Sequence, residues 1–352
     1  MLPAFLYGDA VSNQAARIRH LLRDWGFRSR IYAEARDHRR VNPGADYRRY
    51  RGNPDNILVY HYTTGSAMTE FVRQLPDTVV IYYHNITPPE FLDTYNAAYA
   101  ASLEQGRQEL VLFRHLPFAL AGSQYNRQEM LSLGFKEVAI MPYFIYLDEL
   151  LAAADSSAGQ RIASDYRDGW VNILFVGRLA PNKRQDDIIR TFNYYHRLVD
   201  CRSRLILVGS GDSIPEYRME LEVMLDVLDL QHVHLTGEVS LEELSGYYRA
   251  ATVFLCLSEH EGFCVPLLEA MGFDIPVLAF KATGVPYTMG QSGVLVKRKR
   301  YDVIATLIDL LAHDTPLRRD IIASQNRRLS AFDHDSTVRS LHRQVERMMQ
   351  LA

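Results

Sequence analysis

The stretch Glu261-Gly-Phe-Cys-Val-Pro-Leu-Leu-Glu269 decides the fold of this 352-residue chain. Its two glutamates lie eight positions apart, just after the apolar run Thr252–Leu257, and Pro266 suits the first position of a helix, where its missing N–H costs nothing. The positive end of such a helix favours a phosphate, which would meet the amides of Phe263, Cys264 and Val265. Glu269, one turn inside the helix, can accept hydrogen bonds from two ribose hydroxyls, and Glu261 can reach hydroxyls beyond the phosphates. The stretch therefore predicts a nucleotide-binding loop between a strand and a helix.

Short β-branched or aromatic runs alternate with amphipathic segments along the chain, which is the pattern of βα units on a parallel sheet. In the first half the expected strands are Ala4–Tyr7, Ser29–Ala33, Ile57–Tyr60, Val79–Tyr83, Ala119–Gly122 and Val138–Met141. In the second half they are Asn172–Val176, Leu205–Val208, His232–Leu235, Val253–Leu257, Pro276–Ala279 and Val294–Val296. Six strands in each half predict an α/β protein of two Rossmann-like domains, with a ligand in the cleft between them.

The break between the two domains is expected in Leu147–Gly169. The middle of this segment, Ala152–Ser164, is rich in Ala, Ser and Asp and offers little to bury. We therefore expect an N-terminal domain at 1–150 and a second domain at 170–330. After Asp333, helical spacing predicts one last helix within 331–352 from the apolar residues Leu341, Val345, Met348 and Met349.

Composition describes a soluble globular protein. The hydrophobic content is 47% and the formal charge is −3, which argues against general nucleic-acid binding. No apolar run approaches the roughly 18 residues that span a bilayer, and Met1-Leu-Pro-Ala-Phe-Leu resembles a buried strand more than a signal peptide. Three cysteines (Cys201, Cys256 and Cys264) without metal-ligand spacing indicate reduced thiols in the cytoplasm.

Basic residues follow the first strand of the second half, in Leu174-Phe-Val-Gly-Arg-Leu-Ala-Pro-Asn-Lys183. Gly177 permits a sharp turn that presents Arg178 and Lys183 at the end of the strand, where both could neutralise a diphosphate and the charge that develops on it. Glycines also follow the next strand, at Gly209 and Gly211. These turns predict further walls of the nucleotide pocket.

His84 stands at the end of the fourth strand of the first half, in Ile81-Tyr-Tyr-His-Asn-Ile-Thr-Pro88. His61, at the end of the third strand, is a candidate for the wall of an acceptor site. Ser123 is expected to cap the helix that follows it.

Together these motifs resemble retaining glycosyltransferases of family four, the group 1 glycosyltransferases, which have the two-domain GT-B fold and an E-x7-E motif. The resemblance covers most of the chain and is densest from Asn172 to Val296. It implies that the last helix crosses back to the first domain, and that Leu235-Thr-Gly-Glu-Val239 meets the base through its backbone. One departure is the first βα loop, Gly8-Asp-Ala-Val-Ser-Asn-Gln14, where relatives carry a Gly-Gly pair. Asp9, Ser12 and Asn13 are therefore candidates for acceptor contacts.

The resemblance implies metal-independent transfer of a hexose from a nucleoside diphosphate sugar to a glycan or lipid-linked hydroxyl, in cell-surface polysaccharide synthesis. No cofactor is expected besides the donor substrate. The expected catalytic residues are His84, Arg178, Lys183 and Glu261. The donor would be bound by Gly177, Gly209, Gly211, Val239, Gly262, Phe263, Cys264 and Glu269. A GT-B nucleotide-sugar epimerase and a non-catalytic nucleotide-sugar-binding subunit remain as alternatives.

Two further features bear on partners. Residues 17–51 contain eleven arginines against four acids, which makes a solvated face or a contact with an anionic membrane the two interpretations of this segment. Asp333-His-Asp335 has the D-x-D spacing of a metal site but lies outside any loop at the end of a strand. Asp335 or Ser336 is expected to cap the last helix instead, so no metal site is predicted.

Overall fold

The computed structural model describes residues 1–351, which form two compact units. Unit 1 comprises Met1–Phe144 and Phe332–Ala352, and unit 2 comprises Ile145–Ala331. No helix within residues 1–351 is both long enough and apolar enough to cross a membrane.

Unit 1 is built from alternating strands and helices. Its strands are β1 (Leu2–Phe5), β2 (Tyr32–Arg36), β3 (Ala45–Asp46), β4 (Ile57–Tyr62), β5 (Thr78–Tyr83), β6 (Ala119–Ala121) and β7 (Val138–Ile140). Its first four helices are α1 (Ala10–Asp24), α2 (Met68–Arg73), α3 (Ala97–Leu110) and α4 (Gln124–Ser132). Short 3-10 turns occupy Tyr47–Arg49, Pro89–Phe91 and Val111–Phe113.

All strand pairs of unit 1 are parallel, in the orders β1-β2-β3 and β4-β5-β6-β7. The backbone of Met1 joins the two groups, because its oxygen accepts from the amide of His61 at 2.8 Å. The chain therefore winds outward from β1 to β3 and returns to β4 on the other side of β1. Ligands of open α/β sheets bind at such a reversal of strand order.

Unit 2 contains the same arrangement in a more regular form. Its strands are β8 (Val171–Val176), β9 (Ser203–Val208), β10 (Val233–Gly237), β11 (Val253–Cys256), β12 (Val277–Phe280) and β13 (Val294–Val296). Its helices are α5 (Leu147–Ala154), α6 (Ser157–Asp165), α7 (Gln185–Leu198), α8 (Pro215–Val227), α9 (Leu241–Ala250), α10 (Val265–Gly272), α11 (Val285–Met289), α12 (Tyr301–His313) and α13 (Thr315–Leu329). A 3-10 turn occupies Pro181–Lys183.

The sheet of unit 2 is parallel, in the order β10-β9-β8-β11-β12-β13. β9 is buried at all six positions, as expected for a strand covered by helices on both faces. The strand order reverses between β8 and β11, so the loops that follow these two neighbouring strands diverge at the carboxyl ends of the strands. The candidate site lies at these carboxyl ends.

The expected α/β fold with parallel sheets is confirmed, and each of the twelve expected strands overlaps an observed one. The two-residue strand β3 was not expected, because Ala45–Asp46 has no apolar run.

Within Ala152–Ser164 only Ala154, Gly159 and Ala163 are buried, as expected for a segment with little to bury, but the segment is helical. Helices α5 and α6 cover this segment and pack on α9 within unit 2. Small residues permit the packing, because a Cβ added to Gly246 would lie 2.6 Å from the backbone oxygen of Gly159. A composition that resembles a linker thus serves a close contact between helices.

The last helix, α14 (His334–Met349), follows a 3-10 turn at Ser330–Phe332 and belongs to unit 1. Leu341, Val345 and Met348 are buried, while Met349 is half exposed. The cap is Asp333, whose Oδ1 accepts from the amide of Ser336 at 2.7 Å, so the expectation of Asp335 or Ser336 as the cap is wrong. The helix thus uses the first acid of the D-x-D spacing as its cap.

Candidate functional site

Three glycines bring the ends of β8, β9 and β10 together. The amide of Gly209 donates to the oxygen of Gly237 at 3.0 Å, and the amide of Gly177 donates to the oxygen of Val208 at 2.9 Å. A Cβ on Gly209 would lie 2.2 Å from the oxygen of Gly177, and its φ is +144°, so only glycine fits there. The backbone segments at the carboxyl ends of these three strands are therefore closely spaced.

An ion pair crosses the reversal point between β8 and β11. Nζ of Lys183, after β8, lies 2.6 Å from Oε2 of Glu261, after β11. Burial disfavours the charged ammonium, but the Glu261 carboxylate and its hydrogen bond outweigh that penalty, so the pKa of Lys183 lies above its ordinary value. Lys183 is therefore a fixed cation at neutral pH.

The backbone around Glu261 is held from two sides. Its amide donates to Oγ1 of Thr283 at 2.8 Å, and its oxygen accepts from the amide of Gly284 at 2.9 Å. On the other side, Nδ2 of Asn182 donates to the oxygen of His260 at 3.1 Å. A Cβ on Gly284 would lie 2.5 Å from the oxygen of Gly262, so this approach requires glycine. The loop is therefore held in place without any ligand contact.

Helix α10 starts in the middle of the E-x7-E stretch, at Val265, so Pro266 is its second residue. Cys264 precedes it with a left-handed φ of +71°, which turns the chain into the helix. Pro266 has no N–H, and the amide of Leu267 donates to the backbone oxygen of Cys264 at 3.3 Å, so the amides left for a ligand are those at the very start of the helix. Together with the helix dipole they favour an anion at this end, as the sequence predicts.

Glu269 lies half-buried one turn inside α10 and receives a hydrogen bond at Oε2 from the hydroxyl of Tyr248, at 2.7 Å. Burial raises the pKa of Glu269, although the Tyr248 hydrogen bond opposes the shift. Its other oxygen, Oε1, has no hydrogen-bond partner among residues 1–351. The carboxylate is thus oriented by the protein and retains an acceptor.

The other expected site residues of unit 2 also lie in loops at the carboxyl ends of the strands. Arg178 is exposed and close enough to Lys183 to lower its pKa by repulsion. Gly211 is buried against the side chain of Arg218, and Val239 is half-buried two residues after β10. The backbone oxygen of Phe263, next to Gly262, accepts from the hydroxyl of Thr288.

One group of potential metal ligands exists among residues 1–351: Cys256, Glu261 and Cys264, whose ligand atoms lie within 4.8 Å of one another. The two cysteines do meet in space, which their separation in the sequence did not predict. Hydrogen bonding with Cys256 and burial raise the pKa of Cys264 well above its ordinary value, so it remains a neutral thiol. The Lys183 ammonium already binds the carboxylate and would repel a second cation.

His84 belongs to unit 1 and is buried in a chain of hydrogen bonds. Its Nε2 lies 2.9 Å from Nδ1 of His61, and its Nδ1 lies 2.6 Å from the hydroxyl of Tyr143. Burial lowers the pKa of His84 to about 3, so the ring is neutral at physiological pH. Because both ring nitrogens are bonded within unit 1, a ligand would have to displace one of these bonds to reach them.

The first βα loop uses its polar residues internally. Asp9 caps α1 by accepting from the amide of Ser12 at 2.8 Å, and Asn13 accepts from Arg40 at 2.6 Å. Ser12 is fully buried, so its expected contact with an acceptor is wrong. Ser123 caps α4 as expected, with a bond from the amide of Asn126 at 3.1 Å.

Four residues of the site in unit 2 were not predicted. Tyr248 resembles any buried aromatic residue of an amphipathic helix, and nothing in its own spacing marks a contact with Glu269. Thr283 and Gly284 precede Val285-Pro286, so a glycine just before a proline-containing helix start was the available signal. Asn182, one residue before Lys183, carried no separate signal.

Residues 164–328, just under half of the chain, match the family described as "Glycosyl transferases group 1". Over 180 residues the chain is 29% identical to a D-inositol 3-phosphate glycosyltransferase of Streptosporangium roseum, covering 48% of this chain and 40% of that protein. A GDP-mannose-dependent alpha-(1-6)-phosphatidylinositol monomannoside mannosyltransferase of Mycolicibacterium smegmatis is 30% identical over 203 residues, which are 54% of this chain and 52% of that protein. The chain thus spans about half the length of these relatives or less.

Solved structures share the fold over a longer range. A glycosyltransferase from Rickettsia africae has a TM-score of 0.75 at 14% identity, covering 100% of this chain and 98% of that one. Anabaena HepE in complex with UDP and glucose has a TM-score of 0.62 at 19% identity, covering 83% of this chain and 77% of that one. At these identities the likeness concerns the fold, which is that of GT-B proteins.

Proposed function

We propose, on the premise that residues 164–328 match the group 1 glycosyltransferases, that the chain transfers a hexose from a nucleoside diphosphate sugar to an acceptor hydroxyl. The observation that carries the proposal is the Lys183–Glu261 pair, which stands beside the N-terminus of α10 where the strand order reverses. This arrangement places a fixed cation, the positive end of a helix dipole and a carboxylate that can accept hydrogen bonds from sugar hydroxyls in one group of loops.

Each group has a distinct part in donor binding. Arg178, Lys183 and the first amides of α10 bind the diphosphate, while Glu269 accepts hydrogen bonds from the ribose hydroxyls. Glu261 accepts hydrogen bonds from the sugar hydroxyls near the reacting carbon. Gly177, Gly209, Gly211, Val239, Gly262, Phe263 and Cys264 provide backbone walls for the nucleotide.

The reaction follows from where charge develops. As the bond between the sugar and the diphosphate oxygen breaks, negative charge grows on the leaving diphosphate, and the cations beside it stabilise that charge more than the ground state. The leaving diphosphate then takes the proton of the acceptor hydroxyl. The oxygen of that hydroxyl bonds to the anomeric carbon on the face that the diphosphate leaves, so the anomeric configuration is retained. His84, whose ring is neutral, is the proposed contact to the donor sugar and exchanges no proton.

Two relatives support different donors. The mycobacterial mannosyltransferase is GDP-mannose-dependent, and HepE was solved with UDP and glucose. We propose a hexose of the mannose or glucose type, a glycan or lipid-linked acceptor, and a role in cell-surface polysaccharide synthesis. The cytoplasm is the proposed location, with a peripheral contact between the arginine-rich residues 17–51 and an anionic membrane.

A panel of GDP-, UDP- and dTDP-sugars with candidate acceptors tests the proposal by mass spectrometry of the products. Proton NMR of the new glycosidic bond reports whether the configuration is retained. Activity is expected to survive EDTA, because Lys183 and Arg178 supply the charge that a divalent ion would otherwise provide. Loss of activity in EDTA that Mg²⁺ or Mn²⁺ restores would contradict the metal-independent mechanism.

An epimerase and a non-catalytic nucleotide-sugar-binding subunit are the alternatives. An epimerase would release an altered nucleotide sugar or free sugar without an acceptor. A binding subunit would bind the donor and release no nucleoside diphosphate, so the same assay distinguishes the three.

A further inference from the structure

Unit 1 contains a cavity of about 1130 Å³ that none of the proposed transfer steps uses. It is bounded by α1, α14 and the amino-terminal parts of β1, β2 and β4. Sites for small molecules have volumes of roughly 300–1,000 Å³, so this cavity has room for a ligand with a sizeable tail. The loops of the proposed reaction follow the opposite, carboxyl ends of strands.

The lining of the cavity is strongly basic. Among its lining residues Asp55 is the single acid, and the cations are Arg19, Arg23, Arg28, Arg30, Arg49 and Arg51. Arginine binds phosphate oxygens with two parallel hydrogen bonds, which makes such a cluster suited to a phosphate group.

These arginines lack acidic partners within residues 1–351, in contrast to neighbours outside the cavity. Arg39 forms an ion pair with Asp37 at 2.8 Å, and Arg48 one with Asp46 at 3.4 Å. The lining residue Arg23 instead donates to the backbone oxygen of Ser29, at 2.9 Å. The cavity thus concentrates the uncompensated part of the arginine-rich segment.

Arg19 is the lining arginine whose charged form is disfavoured by its surroundings. Burial, with repulsion from Arg23 and Arg40, lowers the pKa of its guanidinium. A bound anion would relieve both effects. This shift agrees with the geometry of the cluster and does not replace it.

The remaining walls are apolar and come from both helices and from β4. Six of these residues are Ile18, Leu22, Ile57, Val59, Val345 and Met348. Phe27 and Met349 also line the cavity and expose 40% and 46% of their surface. A free phosphate would use the arginines and leave this apolar surface in water, whereas a hydrocarbon chain would cover it.

We propose that this cavity binds a phosphate-bearing lipid, with the phosphate among the arginines and the hydrocarbon chain along the walls of α1, β4 and α14. The ligand class follows from the charge complementarity of the lining arginines and from the apolar walls of the same cavity. Such a site would bind one lipid molecule in a defined place, beyond a general attraction of residues 17–51 to a charged surface.

Calorimetric titration of the full chain with dihexanoyl phosphatidic acid, below its micelle concentration, tests the proposal. Dihexanoyl phosphatidylcholine and inorganic phosphate are the comparison ligands. We expect phosphatidic acid to bind at least about tenfold more tightly than either, because the choline of phosphatidylcholine neutralises its phosphate and inorganic phosphate has no hydrocarbon chain. Several arginines near an anion each contribute roughly a factor of five.

Matched variants locate the site. Arg30→Glu/Arg49→Glu changes two exposed lining residues, and Arg48→Glu/Arg343→Glu makes the same charge change at exposed residues outside the lining. For the apolar wall, Met349→Glu is compared with Met219→Glu, an exposed methionine of unit 2. Both cavity variants should weaken phosphatidic acid binding by about tenfold or more, and both controls should leave it within about twofold, with unchanged thermal unfolding.

Three results would overturn the proposal. Equal weakening by the Arg48→Glu/Arg343→Glu control would mean general surface attraction. Inorganic phosphate binding as tightly as the lipid would mean a simple anion site, and no binding of phosphatidic acid to the unmodified chain would exclude the site altogether.

Discussion

Lys183 and Glu261 form a 2.6 Å ion pair although they lie 78 positions apart in the chain. The strand order explains the contact, because β8 and β11 are neighbours in the sheet and each residue lies in the loop that follows its strand. Basic and acidic motifs that the sequence shows as separate are therefore one site. Glu261 is 6% exposed, so the Lys183 ammonium takes the place of water beside its carboxylate.

The pair should be coupled in stability as well as in function. Lys183→Ala leaves a poorly hydrated carboxylate without its cation, and should reduce the free energy of unfolding by about 1–3 kcal/mol. The double variant Lys183→Ala/Glu261→Ala should lose less than the sum of the two single variants, by at least about 1 kcal/mol. Urea unfolding of the four proteins measures this difference, and strictly additive losses would contradict the coupling.

Glu269 should contribute to donor binding at the expense of stability. Its pKa is raised by burial, so the folded protein holds this proton more tightly than the unfolded chain does. Stability from this group is then present at low pH and is lost as pH rises through the raised pKa. Glu269→Gln should therefore be at least as stable as the unmodified chain at pH 7.5, with the difference fading near the ordinary Glu pKa of about 4.3.

The same variant should bind the donor poorly. If Glu269 holds the ribose equally in the ground and transition states, its loss raises the donor KM and changes kcat little. Glu261→Ala should lower kcat as well, because its contacts lie near the reacting carbon. Steady-state kinetics with the donor varied separate the two roles, and pure, equal kcat effects would refute the division.

His84 should not titrate in the working range. With a pKa lowered to about 3 by burial, its ring stays neutral, so protonation of His84 should produce no limb in the kcat profile between pH 5 and 8. The unfolded chain takes up a proton near pH 6.5, so stability from this group falls as the pH drops below that value. His84→Asn should flatten the decline of thermal stability on acidification, and an unchanged decline would show that His84 is not held neutral.

Membrane contact should depend on the arginines without acidic partners. Reversal of charge at Arg28, Arg30, Arg49 and Arg51 should reduce sedimentation with anionic vesicles, since each basic residue near such a surface contributes roughly 1 kcal/mol. Reversal at Arg39 and Arg48, which pair with Asp37 and Asp46, is the control and should have a smaller effect. Donor affinity should not change in either variant. Vesicle binding that both variants retain in full would favour the solvated-face interpretation.

Periodicity located the strands well because the core strands of a parallel sheet are continuous apolar runs. β8 and β13, for example, were placed within one residue. Helices α5 and α6 were not predicted, because α6 packs through the small residues Gly159 and Ala163 and the buried side of α5 offers only Leu150 and Ala154. The sequence predicts a helix or strand well where its burial requires large apolar side chains. It predicts one poorly where burial depends on close approach of the backbone.

The residues of the candidate site could be predicted from the sequence to a similar extent. Lys183, Glu261 and Glu269 lie in motifs whose spacing implies a phosphate and two hydroxyls. The groups that hold them in place, Tyr248 and Thr283, come from other elements and depend on tertiary contacts that no local spacing encodes. His84 was identified by its place at the end of a strand, but its bonds to His61 and Tyr143 and the resulting neutral ring required the structure.

The most direct test of the account measures kcat at saturating donor for Lys183→Ala and Arg178→Ala, once a donor is identified. Removing one group that stabilises developing charge typically costs about 10²–10³-fold in rate, and each variant should lose about that much while circular dichroism shows a folded chain. Arg178→Lys should recover only part of the loss, because a forked donor becomes a point charge. Turnover close to that of the unmodified chain in either folded alanine variant would contradict the assignment of these cations to the leaving diphosphate.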